Sequence, residues 1–170
     1  RVLPFGDDDG GAEDGDVAID LDLVPVKPVA LQGEDGYSPK GPQPGNASYY
    51  YSLTRMDTAG TVRTPEGEFD VAGLAWMDHE WSTSALDAET QEGWDWFSLQ
   101  LDDGRELMVF QIRQKDGGIA PESSGSLVAE DGAVRYLGDE AFSIEVLDRT
   151  TGRWRTLETT DRSVAFELPA

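Results

Sequence analysis

The residues best suited to chemistry stand in one short run, Trp76-Met77-Asp78-His79-Glu80-Trp81, which holds the chain's single histidine. Imidazole changes charge near neutral pH, and a carboxylate nearby can orient it or act as acid or base itself. Trp94 and Trp96 follow closely, so four of the five tryptophans fall between positions 76 and 96. Indole walls around one or two polar groups make the kind of pocket in which an acid can pass a proton to an apolar substrate.

Spacing sorts these residues onto faces. In an extended chain, side chains alternate, so Met77, His79 and Trp81 share one face and Trp76, Asp78 and Glu80 the other. On the next run Trp94, Trp96, Ser98 and Gln100 share a face, with Asp95, Phe97, Leu99 and Leu101 opposite. A carboxylate that orients His79 must then come from a neighbouring strand, because Asp78 and Glu80 point away from it. For the same reason Asp78, His79 and Glu80 cannot converge on one metal ion, and no metal site is expected. Two readings stay open from spacing alone. The tryptophans are core and His79 is a satisfied half-buried residue, or the run lines a functional pocket.

Other motifs carry less. Asn46-Ala47-Ser48 fits the glycosylation acceptor pattern, a triplet that arises often by chance. Tyr49-Tyr50-Tyr51 reads as strand and core, and Ser82-Thr83-Ser84 lacks the strand-turn-helix setting of a nucleophilic serine. The glycine-rich segments are acidic, which disfavours phosphate binding.

The elements that must position these residues read as strands. Val17 to Val24 alternates apolar and polar residues, and residues 33–46, rich in Gly and Pro, form an irregular connection. Strands are predicted at 49–56, 69–81, 94–101 and 106–113. The hairpin Asp102-Asp103-Gly104 joins the last two. Weaker strands follow at 125–129, 133–137, 141–148, 153–157 and 163–168. No stretch sustains helical periodicity, so the chain is expected to be all-β and antiparallel, a sandwich or a barrel.

Composition narrows the function classes. The 170 residues include no cysteine, which removes disulfides, thiolate nucleophiles and zinc ribbons. No apolar run is long enough to span a membrane. With 13 Lys and Arg against 34 Asp and Glu, the net charge of -21 argues against nucleic acid as a partner. Acidity spread along the whole chain suits life in high salt, where screening removes self-repulsion. Full folding at low ionic strength, followed by circular dichroism against salt, would count against that halophilic reading.

Several motifs in order resemble a known family. Gly36-Tyr37-Ser38-Pro39-Lys40-Gly41, Ala47-Ser48-Tyr49-Tyr50-Tyr51-Ser52, Gly73-Leu74-Ala75-Trp76-Met77-Asp78-His79-Glu80-Trp81 and Gly93-Trp94-Asp95-Trp96-Phe97 carry the likeness. Leu99 to Gly104, with Leu107, Met108 and Arg113, extends it. Together they resemble the AttH-type proteins, labelled secreted hydrolases, which share a superfamily with carotenoid 1,2-hydratase. The resemblance implies two lipocalin-like β-barrels in a longer chain. Residues 1–45 would then be the end of a first barrel plus a linker, and 46–170 a second domain carrying the tryptophan-rich motif, with a barrel left incomplete.

The resemblance also implies a function: binding of an apolar, isoprenoid- or lipid-like small molecule and its hydration at a double bond without any cofactor. The alternative is a non-catalytic carrier or structural barrel. Carried onto this chain, His79 with Asp78 or Asp95 would be catalytic, and Glu80 a weaker acid. Trp76, Met77, Trp81, Trp94 and Trp96 would hold the ligand, with His79 and Trp81 facing the pocket. The family tendency implies export or attachment to the cell envelope. The chain lacks a carboxylate between Met108 and Arg113 where a carotenoid hydratase is expected to have one, and no nucleophile supports a hydrolase.

Overall fold

The computed structural model describes residues 17–82, 86–148, 153–159 and 165–166. Among them there is no α-helix, only a short 3-10 turn at Asp139–Ala141, and hence no helix long and apolar enough to cross a membrane.

A long hairpin forms the frame. Residues Ala47–Thr64 (β4) and Gly67–Ser82 (β5) pair antiparallel along almost their whole length. The other edge of β4 is covered in turn by Ala18–Pro25 (β1), Ala30–Leu31 (β2) and Tyr37–Pro39 (β3). Among the described residues, the strands before position 45 all pair with β4. The irregular connection of residues 33–46 includes the short β3.

A second sheet runs in sequence order: Gln91–Gln100 (β6), Glu106–Gln114 (β7), Ser124–Val128 (β8) and Val134–Leu137 (β9). Gly104 sits at a φ of 78° in the tight turn between β6 and β7, a left-handed conformation that glycine adopts without a Cβ penalty. Phe142–Asp148 (β10), Arg153–Thr159 (β11) and Ala165–Phe166 (β12) make a third sheet. The strands of the described residues do not close into a barrel.

Strand β7 is apolar on both faces, and so it separates two cores. Leu107 and Val109 pack with Leu127 and Leu137, against Phe97, Leu99, Phe142 and Ile144. Met108, Phe110 and Ile112 face the first sheet and pack with Tyr50, Ala120, Trp76 and Leu86. A strand buried on both sides is expected to lose strict alternation, which explains the continuous run Leu107-Met108-Val109-Phe110.

Polar groups lock the two sheets together where they meet. Buried Gln32 donates to Ser52 Oγ at 2.9 Å and accepts from Ser126 Oγ at 2.5 Å. A bulge in β4 sets Thr54 and Arg55 against the single residue Trp76. Such a bulge interrupts alternation. Thr54 and Arg55 both reach Glu106 on β7, at 3.4 and 2.5 Å. Lys27 Nζ approaches the same carboxylate from the other side at 2.8 Å, with Ala129 O at 2.8 Å and Gly104 O as further acceptors. Glu106 is fully buried.

Candidate functional site

The inner face of the β4–β5 hairpin and the facing side of β6–β7 enclose an open cavity of about 190 Å³. Its walls are Trp94 and Trp96 from β6, Phe110 and Ile112 from β7, Tyr50 from β4 and Leu86. Lys40, Glu80 and Ser82 supply its polar end. For scale, a cavity of about 150 Å³ is enough to bind benzene, so this one admits a ring with short substituents.

Local sequence builds the polar end. Tyr50 pairs with Glu80 across the hairpin, Ser52 with Asp78 and Ser48 with Ser82, which puts all of them on the inner face. Lys40 follows β3, and its backbone is fixed at two points. Its N–H donates to Asn46 O at 2.9 Å, and its carbonyl accepts from the buried Gln91 side chain at 2.7 Å. A Cβ on the next residue, Gly41, would meet the Asn46 side-chain amide, which would have to shift to admit it.

Lys40 Nζ lies 2.9 Å from Glu80 Oε1 and 3.9 Å from the centre of the Phe110 ring. Glu80 Oε1 also accepts from Ser48 Oγ at 2.5 Å. Burial pushes the Lys40 ammonium below its usual range, while the hydrogen bond and charge of Glu80 act the other way. Behind this pair Trp96 Nε1 donates to Tyr50 OH at 3.2 Å. Burial, and next the negative charge of Asp78, push the Tyr50 phenol above its usual range, so it stays protonated at neutral pH. Asp78 Oδ1 in turn accepts from Ser52 Oγ at 2.5 Å and from Trp76 Nε1 at 2.8 Å. The cavity therefore offers an ammonium and a phenol as donors, with Glu80 as a carboxylate open to solvent at its edge.

The residues singled out from sequence fall into three places. Asp78, Trp76, Trp94 and Trp96 lie at or directly behind the cavity. His79, Trp81 and Met77 lie on the opposite face of the hairpin, away from it. There Tyr49 stacks on Trp81 and Tyr51 on His79, and the Tyr51 hydroxyl sits 3.2 Å from His79 Nδ1. The face expected to turn inward is thus the one turned out. The alternation was read correctly, but the second sheet presents Trp96, Phe110 and Gln100 to the Asp78 side, where Tyr50 is buried while Asp78 and Glu80 stay exposed. Asp95 points to the other side of β6 from Trp94 and Trp96 and pairs with Arg113.

Sequence reasoning gave no role to Lys40, Tyr50 or Phe110. A signal for Tyr50 existed in the serines flanking the tyrosine run, since Ser48, Tyr50 and Ser52 share one strand face. For Lys40 there were its place in the motif Gly36 to Gly41 and its rarity, as one of three lysines with Lys27 and Lys115.

Fold and site together define an antiparallel β protein with an open, indole-walled cavity. The chain belongs to the AttH-like family, whose model matches residues 8–167. The crystal structure of an AttH protein from Nitrosomonas europaea superposes with a TM-score of 0.74 at 34% identity, over 89% of this chain and 48% of that one. Kievitone hydratase from Nectria haematococca superposes with a TM-score of 0.60 at 13% identity, over 94% of this chain and 45% of that one. The fold is therefore lipocalin-like and shared with a hydratase. The chain spans about half the length of these solved relatives. No curated protein matches it.

Proposed function

We propose that this cavity binds an apolar small molecule and adds water across one of its double bonds by acid–base chemistry alone. One observation carries the reading: an ion pair, Lys40–Glu80, stands at the mouth of a pocket otherwise walled by Trp94, Trp96, Phe110 and Ile112. An ammonium and a carboxylate at 2.9 Å would cancel in a purely structural role, yet one partner is largely buried and the other reaches solvent. That asymmetry suits a base that meets water beside a donor that meets the ligand. The fold of a relative named as a hydratase agrees with it.

Aromatic probes in the pocket are expected to quench Trp94 and Trp96 fluorescence with saturation. Trp94→Ala should weaken binding by about 1–2 kcal/mol, roughly five- to thirty-fold. His79→Ala, on the far face, should leave the same titration unchanged. Equal loss in both variants would place the ligand elsewhere. Binding without any turnover in the full-length protein would favour the non-catalytic carrier.

A further inference from the structure

The donors and acceptors of the cavity restrict which double bond it can hydrate. Adding water to an isolated alkene begins with protonation of carbon, which demands a strong acid. The groups that line the cavity with protons to donate are the Lys40 ammonium and the Tyr50 phenol, whose oxygen accepts from the Trp96 indole; both are weak acids. The carboxylates are placed as acceptors: Glu80 takes hydrogen bonds from Lys40 and Ser48, and Asp78 from Ser52 and Trp76. Weak acids of this kind serve well at another task, holding an oxygen on which negative charge develops.

We propose, resting on the reading above, that the substrates are α,β-unsaturated carbonyl compounds with a flat apolar body. Lys40 and Tyr50 hold the carbonyl oxygen, the phenol turning to it from its hydrogen bond with Asp78, and Glu80 activates the water. Lys40 keeps two N–H groups after its bond to Glu80, enough to donate to a ligand. The body of the ligand lies between Trp94, Trp96 and Phe110. Glu80 takes a proton from water as the water oxygen bonds to the β-carbon. The π electrons shift onto the carbonyl oxygen, giving an enolate beside the ammonium. Glu80 then returns the proton to the α-carbon, and a β-hydroxy carbonyl leaves. Only water is consumed, and every protein group ends as it began. The shifts at both donors fit this division: burial makes Lys40 a better donor than an exposed lysine and keeps Tyr50 neutral.

The test compares benzylideneacetone and its β-hydroxy ketone with prenylbenzene, an isolated alkene of similar size, on the full-length protein. Exchange between enone and hydroxy ketone should be catalysed, with oxygen from labelled water entering the β-carbon, while prenylbenzene binds and is not hydrated. Glu80→Gln should lower the rate about 100-fold or more with quenching of tryptophan retained. Lys40→Met and Tyr50→Phe should each lower it by about 10²-fold or more, as loss of an oxyanion donor does. Circular dichroism and the retained quenching exclude misfolding as the cause. Quenching by both probes with hydration of prenylbenzene alone, or with turnover of neither, overturns this inference and leaves the binding reading standing. Absence of quenching by either probe overturns both.

Discussion

Replacing Glu106 with glutamine is expected to lower the unfolding free energy by about 3–5 kcal/mol, read as a shift of the urea midpoint. The carboxylate is fully buried and bridges Lys27 at 2.8 Å to Arg55 at 2.5 Å, joining the segment after β1, the β4 bulge and β7. Glutamine keeps the shape but removes the charge, which leaves an ammonium and a guanidinium facing each other in a site with little water. Lys27 retains the carbonyls of Gly104 and Ala129, and Arg55 that of Leu101, so the hydrogen bonds survive in part. The charge balance does not. Against a typical stability of about 5–15 kcal/mol the loss is large. A triple replacement, Lys27→Met, Arg55→Leu and Glu106→Leu, should be milder than the single one, because it removes the desolvated charges altogether. If the triple variant were the less stable of the two, the uncompensated charge would not be the cause.

Phe110→Ala is expected to cost about 3–5 kcal/mol, the range for deleting a buried phenylalanine ring. The ring is 3% exposed and packs with Tyr50, Met108 and Ile112, so its removal opens the inner core into the cavity. It also takes away the face on which Lys40 Nζ rests at 3.9 Å, an interaction worth about 0.5–2 kcal/mol. Phe110→Leu separates the two contributions. It keeps most of the volume, so stability should fall by less than about 1.5 kcal/mol, yet the cation loses its aromatic partner. Urea unfolding measures the first effect, and the pH at which Lys40 titrates by NMR measures the second. Equal unfolding losses in both variants would mean that the ring's face, not its volume, supports this core.

Much of the fold was legible in local sequence. The run Leu99-Gln100-Leu101-Asp102-Asp103-Gly104 places the β6–β7 hairpin where it stands, and the period-two pattern of Trp94 to Leu101 sorts its faces correctly. Strand lengths were less legible. Asp57 to Thr64 continue β4 although they lack aromatic or aliphatic alternation, because β1 and β5 pair with them on either side. The bulge opposite Trp76 left no mark in the sequence, since the pairing of two strands, and not either one alone, decides where an extra residue is accommodated. The expected strands at 141–148 and 153–157 correspond to β10 and β11, and that at 163–168 meets β12 at Ala165–Phe166, its other residues lying outside the described ones.

The candidate site divides in the same way. The backbone pleat is a local property, so the sequence by itself determined that Asp78 and Glu80 share a face, that His79 and Trp81 share the other, and that Trp94 and Trp96 stand together. Both faces of Trp76 to Trp81 mix indole with polar groups, and nothing within the run prefers one of them for the interior. Tertiary structure decided that choice: the second sheet offers Phe110 and Trp96 to Tyr50 and Gln100 to the backbone of Thr54 and Ala75. It also brought Lys40, forty positions before Glu80, to 2.9 Å from it. A contact made across that distance in sequence depends on how a loop is pinned, and no periodicity carries it.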